Sequence, residues 1–276
     1  MTSNMNKILC IISVGLLVSA CTSSKTSMTE DANMTDGVTS TETMKQVNHE
    51  ITSYNPTAAS YNMQLGVAYM QQGDMQRAKR KLRMAEQQDP NSPIILDAMA
   101  YYLENVGEVG SAEKYYRKAM TFDKQRGEAQ NNYGAFLCRR GRYTEAEKYF
   151  MAAVSDPNYL TPGQAYENAG LCALDVPNNQ KAEQYFTKAL QNNPHLATSS
   201  LEMAHISYDK QDYPQAKKYL ENYAKYGQPS AESLYYRVKT ELALGDDNAA
   251  ASDLLLLKHR FPDSKEYLAL KEETTT

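Results

Sequence analysis

NNYGAFLCRRGRYTEAEKYF, residues Asn131 to Phe150, decides the fold. Tyr133-Gly134 and Leu137 fall a turn apart in its first half, Gly141-Arg142-Tyr143 interrupts, and Ala146 and Phe150 fall a turn apart in its second half. A helical period on both sides of a Gly-containing break describes two helices joined by a tight turn. The arrangement recurs along the chain. In phase with Gly134 stand Gly66, Ala100, Gly170 and Ala204, with Val238 in the last copy, at separations of 34, 34, 36, 34 and 34. The second helix repeats Ala78, Ala112, Ala146, Ala182, Ala216 and Ala250 at the same separations. Four positions on come Leu82, Tyr116, Phe150, Phe186, Leu220 and Leu254; three beyond those come Ala85, Ala119, Ala153, Ala189, Tyr223 and Leu257. Pro90, Pro194 and Pro262 close their copies, and Pro157 closes the third one residue early.

This pattern has a packing cause. Gly or Ala is needed where two helix axes approach most closely, and a Leu, Tyr or Phe one turn away fills the adjoining space. The period and phasing resemble the tetratricopeptide repeat, whose helix pairs stack into a right-handed superhelix. The fold class expected is therefore all-α, with six units at 59–92, 93–126, 127–162, 163–196, 197–230 and 231–264. The usual early Trp is absent throughout, and the last two units lack Gly at the eighth position. Two extra residues in the third unit fall within 156–163, where two prolines and a Gly prevent a continuous helix and predict an irregular joint. Tyr267, Leu268 and Leu270 suggest a short capping helix over 265–270, followed by a disordered tail over 271–276.

At 276 residues the chain is long enough for a sizeable core. A net charge of -4 offers no basic field for nucleic acid, so no nucleic-acid partner is expected. Tyrosines outnumber phenylalanines 21 to 5, which suits stacked amphipathic helices whose aromatic tips reach the surface.

The first 58 residues read differently. Lys7 precedes an apolar run from Ile8 to Val18, too short to span a bilayer, followed by Ser19-Ala20-Cys21. This is the charged start, apolar middle and small-residue end of a secretory signal over 1–20. Small residues directly before a Cys resemble a bacterial lipobox, in which Cys21 becomes the lipidated first residue. An ordinary cleaved signal and an uncleaved anchor are the alternatives. In such lipoproteins an Asp after the Cys favours inner-membrane retention, so Thr22 implies the periplasmic face of the outer membrane. From Thr22 to Ala58 the composition is too polar to bury a core, and a flexible tether is expected over 21–58. Its span as a flexible coil is roughly 35 Å. The alternative is a segment that folds onto a partner, with a short helix over Met44 to Ile51.

Chemistry is sparse. His49, His195, His205 and His259 are isolated from one another and from metal-ligand spacings, and neither a phosphate-binding Gly loop nor a nucleophile elbow occurs. Glu145, Glu147 and Glu183 lie beside Lys148 or Lys181 at helical spacing and read as solvated faces. No cofactor, metal, catalytic residue or small-molecule substrate is expected. Cys138 and Cys172 lie on the first helices of consecutive units, 34 residues apart. In an oxidising compartment they could bridge the third unit to the fourth; otherwise they pack as small buried hydrophobes.

A repeat stack binds through its surfaces. Concave-wall positions of the first helices give Tyr101, Glu104, Asn131, Glu167, Leu171, Leu201, His205, Tyr208, Tyr235 and Lys239 as a candidate groove, mixed polar and aromatic and suited to a peptide. The carboxylate clamp of chaperone-binding repeats needs Lys at the fifth position; here that position is Met63, Asp97, Asn131, Glu167, Leu201 and Tyr235, so the clamp is not built.

The lipobox, polar tether and six repeats resemble the type IV pilus biogenesis and stability lipoprotein family, PilF/PilW. The residues that carry this include Gln64-Leu65-Gly66-Val67-Ala68-Tyr69 with Gln72-Gly73-Asp74, Asn131-Asn132-Tyr133-Gly134, Glu167-Asn168-Ala169-Gly170-Leu171 and Phe261-Pro262-Asp263-Ser264. The resemblance spans essentially 59–270. It implies a pilotin or assembly factor without enzymatic activity, working as a monomer, whose partners are the pilus secretin subunit and, through its lipid, the membrane. A different periplasmic repeat scaffold, serving envelope or outer-membrane protein assembly, is the alternative.

Overall fold

The computed structural model describes residues 54–122, 125–176 and 179–273. The signal segment, Cys21, most of the tether and residues 274–276 of the tail lie outside the described residues. Among the described residues the secondary structure is helical, with no strand and no helix long and apolar enough to cross a membrane. They fall into two compact units, divided between Gln125 and Arg126.

The N-terminal unit holds two helix pairs: α1 (Pro56–Gln71) with α2 (Met75–Gln88), and α3 (Pro93–Asn105) with α4 (Val109–Ala119). α1 begins three residues earlier than the expected start at 59, because the Asn55 side chain accepts from the Ala58 amide at 3.0 Å and Pro56 supplies a preset first-turn φ. The C-terminal unit holds four pairs: α5 (Arg126–Arg139) with α6 (Tyr143–Ser155), α7 (Pro162–Asp175) with α8 (Asn179–Asn192), α9 (Ala197–Asp209) with α10 (Tyr213–Tyr226), and α11 (Ala231–Ala243) with α12 (Asp247–Arg260). A last helix, α13 (Lys265–Glu273), follows.

Small-against-large packing holds each pair. All six in-phase alanines are buried, as are Leu82, Tyr116, Phe150, Phe186 and Leu220. A Cβ at Gly66 would stand 2.7 Å from Leu82 Cγ, and one at Gly170 would stand 2.6 Å from Phe186 Cε1, so these glycines give the closest approach its space. The turns inside the pairs also repeat. Gly73, Gly107, Gly141 and Gly245 take positive φ, and Gln211 stands in the same phase at φ 61° without the glycine that conformation favours. Asp74, Asp212 and Asp246 then cap α2, α10 and α12 by accepting amide hydrogen bonds from Arg77, Gln215 and Ala249.

The two-residue insertion does break the helix, between Ser155 and Pro162, but it is not merely a spacer. Tyr159 is buried against Gly127, where a Cβ would approach within 2.5 Å of the tyrosine's own Cβ, while Leu160 stays exposed. α13 covers the open end of the last pair through Leu270, packed with Leu234, Val238 and Leu257. It runs on through Lys271–Glu273, where a disordered tail was expected; Glu273 is held there by Lys239 at 2.8 Å.

Candidate partner-binding site

α9 and α11 place an aromatic cluster in the C-terminal unit. His205 and Tyr208 lie one turn apart on α9, and Tyr235 and Lys239 one turn apart on α11. Tyr236 is the common neighbour of the three rings. Its ring stacks on His205 with centroids 3.9 Å apart, and meets Tyr208 edge-on at 5.5 Å and Tyr235 edge-on at 5.5 Å. Tyr213, at the start of α10, extends the cluster by an edge contact to Tyr208 at 5.4 Å. These are geometries in which ring edges meet ring faces favourably.

Charge surrounds the rings. His205 Nδ1 lies 3.4 Å from Glu202 Oε2. The hydrogen bond to Glu273 raises the Lys239 ammonium above its usual range, so Lys239 stays charged. Burial, then the nearby carboxylates of Asp209 and Glu232, pushes the Tyr236 hydroxyl up to about 12; burial raises Tyr208 too. The cluster therefore presents phenol rings beside a cation, a surface for ring stacking and hydrogen bonding.

Four of the ten predicted groove residues instead serve the stack. Asn131 is 3% exposed and accepts from Asn168 Nδ2 at 3.1 Å, joining α5 to α7. Glu167 is 7% exposed and accepts from both the amide and the hydroxyl of Ser199, at 2.9 and 2.7 Å, joining α7 to α9. Leu171 is buried, and Leu201 is buried with Ala204 and Leu220. Consecutive first helices touch, and the Asn131 and Glu167 side chains are consumed by that contact, while Leu201 packs into its own helix pair. Tyr101 and Glu104 belong to the N-terminal unit, where Tyr101 packs on the core and Glu104 accepts from the Tyr116 hydroxyl at 3.3 Å. His205, Tyr208, Tyr235 and Lys239 are the predicted residues that come together.

Sequence reading missed Tyr236, Tyr213 and Glu273. Tyr236 sits outside the concave-wall positions, and the surplus of tyrosines was the signal that could have found it. Glu147 and Lys181, read as solvated faces, are half-exposed and paired with each other. Lys181 Nζ lies 2.5 Å from Glu147 Oε1, and the Tyr185 hydroxyl also donates to Glu147. Burial pushes the Glu147 carboxyl up, but the hydrogen bonds from Lys181 and Tyr185 and the lysine charge outweigh it and hold the group low. These residues rim a cleft of about 220 Å³ between α6 and α8, with Cys172 in its lining. A disulfide joins Cys172 to Cys138 across a Cα separation of 5.8 Å, linking α7 to α5.

Helix pairs of this phasing define a tetratricopeptide-repeat fold. Models of the tetratricopeptide repeat match residues 62–92, 127–156 and 201–265. The chain is 34% identical over 211 residues to the type IV pilus assembly protein PilF of Pseudomonas aeruginosa, across 76% of this chain and 84% of PilF. It belongs to the PilF family. The solved structure of Pseudomonas aeruginosa PilF superposes with a TM-score of 0.67 at 34% identity, covering 79% of this chain and 98% of that one. That of PilW, a widely conserved type IV pilus biogenesis factor, superposes with a TM-score of 0.63 at 28% identity, covering 77% and 97%.

Proposed function

We propose that this protein is a non-enzymatic lipoprotein of the outer membrane that binds the type IV pilus secretin subunit and promotes its localisation and multimerisation there. Kinship with PilF along most of both chains carries the reading. Acyl chains on Cys21 supply residence on the periplasmic face, and the segment that follows joins them to the helix pairs. The cluster of His205, Tyr208, Tyr235, Tyr236 and Lys239 receives a secretin segment, with rings stacking on its side chains and the cation meeting a carboxylate or carbonyl. Anchor and binding surface on one monomeric chain raise the concentration of secretin subunits at the membrane without further chemistry. Affinity capture from envelope extracts tests this: secretin should co-purify with the wild-type protein and be depleted with Tyr208→Ala/Tyr236→Ala. Capture of the outer-membrane protein assembly machinery in its place would contradict it.

A further inference from the structure

α2 carries a charge that the binding function does not use. On a chain of net charge -4, its sequence MQRAKRKLRMAEQQ holds Arg77, Lys79, Arg80, Lys81 and Arg83 against one acid, Glu86, while α1 beside it has no charged residue. Ala78, Leu82, Ala85 and Gln88 form the buried stripe, which turns Arg80 and Arg83 out to solvent and leaves Lys79 half-buried. Arg77 is engaged by Asp74 at 2.8 Å and by the Tyr69 ring, and Lys81 donates to Asn62 at 3.2 Å. Lys79, Arg80 and Arg83 make no ion pair or hydrogen bond among the described residues. With Met84 they wall a shallow surface depression. Like charges three and four positions apart oppose helix formation, so this row weakens α2 unless something outside the chain neutralises it.

We infer that the exposed face of α2 is a membrane-contact surface, on which Lys79, Arg80 and Arg83 bind the phosphate headgroups of anionic phospholipids and Met84 settles among them. The choice of a bilayer over an acidic protein rests on the lipid-anchor reading of Cys21. The first described residue, Tyr54, follows Cys21 by only 33 positions. In chain order α1 and α2 are the folded elements nearest to such an anchor. A basic patch joined to acyl chains supplies the second attachment signal, and it sets which face of the N-terminal unit meets the headgroups.

The test uses the full chain carrying Cys21→Ser, so that no acyl group contributes, in co-sedimentation with phosphatidylcholine vesicles with or without phosphatidylglycerol. The apolar run at 8–18 and Lys7 beside it are common to every variant compared, so the part of the anionic-vesicle increment that depends on α2 is the readout. The unsubstituted face should give an increment of about tenfold or more at low salt, lost at high salt, given the attraction each basic residue contributes near an anionic surface. Lys79→Glu/Arg80→Glu/Arg83→Glu, with its helicity verified by circular dichroism, should abolish the increment. Equal binding to the two vesicle types, or an increment that survives in the triple variant, overturns the inference. So does a triple variant that loses an envelope protein in affinity capture while the parent shows no anionic preference. Fatty-acid labelling at the unsubstituted Cys21 reads the anchor separately, so its failure is distinguishable from failure of the basic face.

Discussion

Phe150 packs its ring against the bare backbone of Gly134: a Cβ there would stand 2.8 Å from both Cδ1 and Cε1 of a fully buried side chain. The ring has nowhere to move, so overpacking should outweigh the helical preference for Ala, and Gly134→Ala is predicted to destabilise by about 1–3 kcal/mol. Gly110, within α4, has nothing within 4 Å of its virtual Cβ. Gly110→Ala should therefore stabilise by about 0.5 kcal/mol. Urea denaturation of both variants checks the opposite signs.

The Cys138–Cys172 disulfide closes a loop of sequence separation 34. Chain-entropy arithmetic puts its contribution at roughly 3–4 kcal/mol. The oxidised protein should show no alkylatable thiol at either position, and Cys138→Ser/Cys172→Ser should melt lower. Free thiols at both positions in the mature protein would reduce the pair to ordinary buried packing.

Glu241 on α11 faces Asp253 on α12, whose carboxylate takes Arg237 at 2.8 Å. Burial first, then the Asp253 charge, raises Glu241 to about 7, so the folded state retains a proton that the unfolded chain releases near the ordinary carboxylate range. Stability from this group is full below the unfolded value and falls as pH rises toward about 7. Glu241→Gln should flatten that fall and gain on the order of 1 kcal/mol above pH 7, allowing for solvent screening. Thermal melts at mildly acidic and mildly alkaline pH would measure the difference.

Stability and binding should separate along α7, α9 and α11. Ser199→Ala removes the hydroxyl that donates to the buried Glu167 carboxylate, leaving only the backbone amide, and should cost about 1–2 kcal/mol, with partner affinity unchanged while the protein stays folded. Tyr236→Ala strips the stacking surface from His205 and Tyr208 and should weaken capture of the partner. Paired denaturation and binding curves for the two variants test the separation.

The contrast marks what a repeat sequence discloses. Ala78 to Ala250, and the large residues four positions beyond them, could be read directly because close helix approach forces a small residue at one phase in every copy. Asn131 and Glu167 could not. Position within a unit places a side chain on the inner wall, but contact with the following first helix decides whether it meets solvent, and that depends on Asn168 and Ser199 more than thirty residues away. Tyr159 was missed for a related reason: two prolines announce a broken helix, yet only the open backbone of Gly127 makes room for the ring. Lys239 was legible as a wall residue, and its clasp on Glu273 was not, because Glu273 lies beyond the repeat period.

The proposed role is tested most directly by the state of the secretin in cells lacking this gene. Envelope fractions run unheated on denaturing gels should lose the secretin multimer band while monomer persists, and the wild-type gene should restore the band where Tyr208→Ala/Tyr236→Ala restores it poorly. A multimer band unchanged by the deletion would contradict the account.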